Sequence, residues 1–297
     1  MDRIYRKLQN LGGSIFVSLP KVWTKNFGLK KESSVAIDIR PDGTLLISPK
    51  LKQEENELKN EIILNSSKYV AREMSKFILS GIETVIIRSD KEFDKKIRNE
   101  ISWFVDGLPN TEIIEEERQR IVIQNFGYKK IPTKKIIQRL LFLICDMFDN
   151  LLERANIDLK QDFKKLQRFY FILVTHIRTY LRTGIYISDD NQKFTPLEAM
   201  DLRMFCEKIE DIGTILKNLR INENVEAFFK KIYDYYKDVM NAYLKKDIAI
   251  AHEAWLKKNE IIKQAKLLIE NLDYDERDKI KDMITIAEDC KDMAGLI

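Results

Sequence analysis

The chain has 297 residues and a formal net charge of +4, with 33% charged residues but only 6 prolines and 10 glycines. This length allows two or three domains, and the composition is typical of long helices with charged surfaces. The three cysteines, Cys145, Cys206 and Cys290, lie far apart, which argues against a disulfide framework or a zinc cluster and favours a reducing cytosol. Since no apolar run reaches about 18 residues and the chain does not start like a signal peptide, we expect a cytoplasmic protein without membrane insertion.

The first strand and the first helix are predicted around Pro20. The apolar run Ile15–Val17 predicts a strand that ends before Pro20, because proline cannot donate to a sheet ladder. The fixed φ of proline suits the first turn of a helix, which Ser18 is expected to cap and Leu29 to close.

Two further strands, Ser34–Ile39 and Thr44–Ser48, are predicted on either side of the turn Pro41–Gly43. Residues 1–50 therefore form a small β-rich unit. A unit of about 50 residues buries too little apolar surface to be stable alone, so we expect a partner chain or a second domain to cover it.

The charge of this unit is strongly asymmetric. Before Glu32 a single acid, Asp2, stands against seven basic residues, which are Arg3, Arg6, Lys7, Lys21, Lys25, Lys30 and Lys31. Such a surplus is typical of a nucleic-acid surface, although short basic runs are also common on solvated faces.

The same segment resembles the AbrB/SpoVT family of swapped-hairpin DNA-binding domains, in which a G-x-S strand and a short helix ending in Gly-Leu precede a second hairpin. The residues that match the family pattern are Gly13, Ser14, Val17, Leu19, Pro20, Gly28, Leu29, Gly43, Leu45, Ile47 and Pro49. Lys31, Glu32 and Ser33 stand where the family has Lys-Gly-Asp. The resemblance implies a dimer, or a higher homo-oligomer, that binds double-stranded DNA. The candidate contact residues are Arg3, Arg6, Lys7, Ser14, Lys21 and Lys25.

Residues 63–126 are predicted to form a small α/β domain that connects the two ends of the chain. The polar segment Lys50–Glu61 before it is expected to be a linker or the start of a solvated helix. The predicted elements of the domain are a helix capped by Ser66 or Ser67 and ended by Gly81, a strand at Thr84–Arg88, a helix carrying Phe93, Ile97, Ile101 and Phe104, and strands at Glu112–Glu116 and Arg120–Gln124.

From residue 134 to residue 297 the periodicity predicts an antiparallel bundle of six amphipathic helices. Thr195-Pro196, Asp247 and Asp273 are plausible starts. The helices fall into two sets of three, which suggests an internal duplication. Their predicted ranges are Lys134–Ala155, Phe163–Leu181, Leu197–Leu219, Asn224–Tyr243, Ile248–Asn271 and Tyr274–Met293.

The third of these helices carries a candidate metal site. Glu207 and Asp211 are four residues apart on the face opposite the apolar stripe, so their carboxylates are neighbours. Two such carboxylates can share a divalent cation or an iron ion. The alternative is an ordinary surface ion pair between Glu207 and Arg203.

This helix resembles the E-R-I-G-D-H signature of PhoU proteins, with Glu207, Ile209 and Asp211 matching and Lys208 replacing the arginine. Leu166–Arg178 resembles an archaeal PhoU phrase, and the α/β segment resembles the part that joins AbrB-like and PhoU-like regions in archaeal phosphate uptake regulators. The resemblance implies a bundle of two three-helix repeats, metal-binding E-x-x-x-D motifs and a role in phosphate uptake.

In the second repeat Glu288 takes the place of Asp211, but Ile284 takes the place of Glu207. A second metal motif therefore requires the following pair, Glu288 and Asp292. The histidines, His176 and His252, are expected to be structural, and the cysteines are expected to be core residues.

The sequence thus favours a multidomain, mainly α protein that regulates transcription in phosphate homeostasis. Its AbrB-like part would bind DNA, and its PhoU-like bundle would sense metal, phosphate or a partner protein. The alternative is an accessory protein that binds a phosphate transporter or sensor and uses the AbrB-like part only to dimerise. An enzyme is not favoured, since no Gly-rich phosphate loop and no nucleophile with a positioned base is evident.

Overall fold

The computed structural model describes residues 5–39, 44–49, 61–127, 131–153, 159–183, 195–270 and 272–297. The chain divides into two compact units, Met1–Lys59 and Asn60–Ile297. Nine helices and eight strands lie in the described ranges, so the protein is mainly helical with a small β region at its N-terminus. The finer division into domains 1–50, 63–126 and 134–297 stays a prediction.

The N-terminal unit contains two antiparallel β-hairpins and one short helix. Gly12 and Gly13 form the first hairpin turn with φ of +58° and +84°, a conformation that glycine adopts without steric cost. The strands predicted at 34–39 and 44–48 are confirmed to within one residue, and the turn at 41–43 lies outside the described residues. The elements are β1 (Gln9–Leu11), β2 (Ser14–Phe16), α1 (Lys21–Asn26), β3 (Val35–Ile39) and β4 (Leu45–Pro49).

The ends of α1 differ in part from the prediction. The expected Ser18 cap is wrong, because Pro20 is the N-cap residue and no side chain caps the helix. The helix ends at Asn26, and Gly28 follows with φ of +61°. The Leu29 N–H then donates to the Thr24 carbonyl at 2.8 Å, so Leu29 closes the helix end as predicted.

The second unit begins with a four-stranded sheet in the order β5-β6-β8-β7. The strand β5 is parallel to β6, and the other neighbours are antiparallel. Two helices pack on the sheet. Met74 of the first helix and Val85 and Ile123 of the sheet are among the fully buried side chains of this part. The elements are β5 (Glu61–Asn65), α2 (Val70–Ile78), β6 (Thr84–Arg88), α3 (Lys95–Gly107), β7 (Thr111–Glu116) and β8 (Arg120–Asn125).

The strand β5 was not predicted. Its apolar core is only Ile62–Leu64, and it directly follows a long polar run. Its partner β6 starts about twenty residues later, so the pairing that fixes it is not local. The expected serine cap of α2 is confirmed only in part, since Tyr69 is the N-cap residue, but the Ser67 Oγ accepts the Tyr69 N–H at 3.1 Å in the turn just before the helix.

Six long helices complete the second unit, as predicted. The first set, α4 to α6, and the second set, α7 to α9, each pack as a triangle of three mutually contacting helices. The two sets meet where α6 packs against α9 and α4 against α7. The helices are α4 (Thr133–Leu152), α5 (Leu159–Thr183), α6 (Pro196–Leu216), α7 (Glu223–Lys245), α8 (Ile248–Ile269) and α9 (Tyr274–Ala294).

Three of the predicted helix starts are confirmed by hydrogen bonds. Thr195 and Glu198 form a capping box at α6, and Asp273 and Glu276 form another at α9. The Asp247 carboxylate accepts the N–H groups of residues 249 and 250 at the start of α8. These caps satisfy amide donors that the helices cannot satisfy themselves.

The sheet part and the bundle contact each other through α5. Phe171 of α5 packs against both apolar cores. Near the end of the same helix, the Arg182 Nε donates to the Ser80 carbonyl at 2.9 Å. The turn after α2 is thereby held against the bundle.

Candidate nucleic-acid interface and acidic cluster

The basic segment, residues 5–31, carries six basic side chains and no acidic one. All six are exposed, and none forms an ion pair with another described residue. A surface of this kind attracts phosphate groups without competition from internal anions. Its basic residues are Arg6, Lys7, Lys21, Lys25, Lys30 and Lys31.

The predicted DNA contacts occupy three places in the N-terminal unit. Arg6 and Lys7 precede β1, and Ser14 is the first residue of β2. Lys21 and Lys25 lie one turn apart on the same face of α1. All five are exposed, and Arg3 lies outside the described residues.

The apolar side chains of the N-terminal unit remain uncovered in the single chain. Among the residues of this unit whose exposure the structure describes, none is buried. Isolated exposed apolar residues are normal, but many large exposed apolar side chains in one small unit are typical of an interaction surface. The large apolar side chains that are most exposed here are Tyr5, Leu8, Ile15, Phe16, Val17, Val22, Phe27, Ile37 and Leu45.

The four predicted metal ligands do not share one site, because Glu207 and Glu288 form separate ion pairs, whereas Asp211 and Asp292 lie near Asp289. Glu207 accepts the Arg203 Nη1 at 3.1 Å, and Glu288 lies 3.3 Å from the Lys258 Nζ. Across the described part of the chain, no three His, Cys, Asp or Glu side chains are grouped to hold a metal ion. The ion pair between Glu207 and Arg203 is the one that the sequence offered as the alternative to a metal site.

An acidic cluster lies between α6 and α9, and it contains the predicted metal ligands Asp211 and Asp292 together with Asp289, which the sequence did not predict. The Lys208 Nζ of α6 donates to the Asp289 Oδ1 of α9 at 2.8 Å and lies 3.4 Å from the Asp292 Oδ2. We use the name acidic cluster for Asp211, Asp289 and Asp292 together. Lys208 contacts Asp289 and Asp292 of α9 across the boundary between the two sets.

In this cluster the ammonium of Lys208 opposes the effects of burial and of the neighbouring carboxylates on Asp289. Burial raises the pKa of the Asp289 carboxyl, and the nearby charges of Asp211 and Asp292 raise it further, while Lys208 lowers it in part. The hydrogen bond to Asp289 is the main cause that raises the pKa of the Lys208 ammonium above its usual value. The lysine is therefore charged at neutral pH and acts as the counter-ion of the cluster.

The sequence did not predict a role for Asp289, because the E-x-x-x-D motif includes its neighbours Glu288 and Asp292 but not Asp289 itself. A sequence signal for it did exist. Ile286, Asp289 and Met293 are spaced by three and four and share the buried face of α9. A carboxylate in an apolar stripe needs a hydrogen-bonding cation or donor nearby.

The cysteine and histidine side chains lie mainly in the core. All three cysteines are buried, as expected, and burial raises the pKa of the Cys145 thiol to about 11. His176 is buried in α5, whereas His252 is exposed and stacks on Trp255.

Comparison of the chain with protein-family models, with curated proteins and with solved structures gave no match. Among the described helices, none combines the length and the apolar character that a membrane crossing requires.

Proposed function

We propose that the protein is a DNA-binding regulator of transcription, in which the N-terminal unit binds duplex DNA as a homodimer and the helical bundle receives the signal. The observation that carries the proposal is the basic segment, with six exposed cations and no acid over residues 5–31. Contacts of lysine and arginine with phosphates supply most of the affinity of such interfaces. Lys21 and Lys25, one above the other on α1, are the best placed pair for adjacent phosphates.

The homodimer is supported by the apolar surface of the same unit. Ile15 is 71% exposed and Val22 is 71% exposed, although each belongs to a regular element. A second copy of the unit would remove these side chains from water, at about 25 cal/mol per Å² of apolar area. Swapped hairpins, which the resemblance to AbrB/SpoVT proteins implies, are one way to bury them.

The link to phosphate uptake rests on the resemblance of α5 and α6 to PhoU proteins. The two three-helix sets agree with the repeat architecture that this resemblance implies. The signal received by the bundle would be metal, phosphate or a partner protein. A change in the bundle would alter DNA affinity only if the two states of the bundle favour different arrangements of the DNA-binding units.

The second candidate is an accessory protein of a phosphate transporter or sensor, in which the N-terminal unit serves only to dimerise. The exposed apolar side chains of that unit fit this candidate equally well. The basic segment distinguishes the two, because a unit that only dimerises has no need of six exposed cations in a stretch without an acidic residue.

Charge reversal of Lys21 and Lys25 to glutamate tests the proposal. We expect the double variant to bind a labelled duplex at least about tenfold more weakly at low salt, with an unchanged helical circular dichroism signal. The matched control is Lys263→Glu with Lys266→Glu, which makes the same charge change at two exposed positions of α8. Equal DNA affinity of the two double variants would reject the basic face and favour the accessory protein.

A further inference from the structure

The contact of Lys208 with the acidic cluster joins the two halves of the bundle. Lys208 belongs to α6 of the first set, whereas Asp289 and Asp292 belong to α9 of the second set. Several other ion pairs of the described bundle lie within one set, for example those of Lys257 with Asp238 and of Lys258 with Glu288. The ammonium of Lys208 is a charged link across the contact between α6 and α9.

The burial of Asp289 gives this link a structural role. Its side chain is only 7% exposed, and Lys208 is 30% exposed. An ionised carboxylate at such a site is stable only with a counter-ion and a hydrogen bond, and Lys208 provides both. Without the lysine, the negative charges of Asp211 and Asp292 would further disfavour ionisation of Asp289.

A metal ion that bridged Asp289 with a carboxylate of the first set would lie close to this ammonium. It would have to bind Asp289 beside the Lys208 Nζ, which holds the Asp289 Oδ1 at 2.8 Å. It would also meet the repulsion of the ammonium charge at a short distance in a poorly solvated place. Asp292 is further neutralised by the Lys291 Nζ at 3.2 Å.

We propose that Lys208 is the built-in counter-ion of the acidic cluster, and that the two three-helix sets are held together at α6 and α9 without a bound metal. The inference does not depend on DNA binding. Both residues depart from the PhoU-like motifs. Asp289 lies outside the E-x-x-x-D pattern, and Lys208 replaces the arginine of the E-R-I-G-D-H signature.

Thermal unfolding of the full-length protein tests the role of Lys208. We expect Lys208→Met to lower Tm by about 5 °C or more, because it leaves a buried carboxylate without its counter-ion. Adding Asp289→Asn should recover a large part of the loss, and Lys208→Arg should retain most of the wild-type Tm. The control is Lys258→Met, which breaks the more exposed pair with Glu288 and should shift Tm by less than about 2 °C.

A metal titration tests the second half of the proposal. Treatment of the wild-type protein with EDTA, followed by addition of Mn²⁺, should leave Tm unchanged at both steps. The proposal is overturned if EDTA lowers Tm and Mn²⁺ restores it in the wild type but not in Asp289→Asn. It is also overturned if Lys208→Met is as stable as the wild type.

Discussion

Gly81 lies directly against the side chain of Thr179, where the turn after α2 meets α5. A Cβ at residue 81 would overlap the Thr179 Oγ1 and would stand 3.3 Å from its Cγ2. Gly81 also has φ of +80°, which side chains disfavour. The sequence predicted Gly81 only as a helix end, and the structure gives it a second role in docking the sheet part on the bundle.

Replacing Gly81 by alanine should destabilise the second unit by about 1–3 kcal/mol, from backbone strain and steric overlap together. Chemical unfolding followed by circular dichroism measures this loss. Adding Thr179→Ala should recover only the steric part. The control is Gly107→Ala at the end of α3, where φ is not positive and no atom lies near the added Cβ, so stability should be unchanged or slightly raised.

Glu276 links the starts of α7 and α9. Its carboxylate accepts the side-chain amides of Asn224 at 2.6 Å and Asn222 at 2.9 Å, as well as its own capping-box bond from Asp273. The hydrogen bond from Asn224 is the main cause that lowers the pKa of the Glu276 carboxyl below its usual 4.5, followed by the bond from Asn222.

The lowered pKa predicts a pH-dependent loss in Glu276→Gln. The contribution of the carboxylate is fully present above pH 4.5 and is lost as the pH falls through the lower pKa of the folded state. Glu276→Gln should thus unfold at lower urea than the wild type at pH 7, and the difference should shrink below pH 4.5. Glu253→Gln, at an exposed position of α8, should match the wild type at every pH.

The thiols provide a probe of the bundle core. Because Cys145, Cys206 and Cys290 are buried and burial raises the pKa of each thiol, the reactive thiolate is scarce and shielded. The native protein should show almost no reaction with Ellman's reagent at pH 8, and the urea-unfolded protein should show three equivalents. A thiol that reacts rapidly in the native protein would contradict the packing of that helix.

Ile15 tests the dimer. If a second copy covers its 71% exposed side chain, Ile15→Glu should weaken dimerisation at least about tenfold, because the charge would be buried at the interface. Light scattering after size exclusion measures the oligomeric state. Leu267→Glu, at a 66% exposed position of α8, should leave the dimer intact. Dissociation in Leu267→Glu alone would place the interface on the bundle instead.

The sequence predicted most regular elements of this fold because their signals are local. The apolar stripe of α6, with Phe205, Ile209 and Ile212, is buried as expected, and the predicted caps Asp247 and Asp273 form. The strand β5 was missed, because parallel pairing with a distant strand, and not its own short apolar run, determines it.

The acidic cluster was harder to predict than the helices that carry it. Lys208 and Asp289 are 81 residues apart, and only the packing of α6 on α9 brings them together. Motif comparison predicted Glu207, Asp211, Glu288 and Asp292 as metal ligands. Glu207 and Glu288 are exposed and form separate ion pairs, whereas Asp211 and Asp292 lie near Asp289, which the motif does not include. The basic segment, in contrast, was evident from the sequence because its charge asymmetry needs no tertiary contact.

The central claim is that the N-terminal unit binds DNA through phosphates, and a salt titration of full-length protein with duplex DNA tests it most directly. Four cationic residues per chain, Arg6, Lys7, Lys21 and Lys25, can provide four to eight phosphate contacts in a dimer. The plot of log K against log salt should then fall with a slope of about −4 to −7. Absence of binding at low salt would contradict the claim and would leave the N-terminal unit with dimerisation as its role.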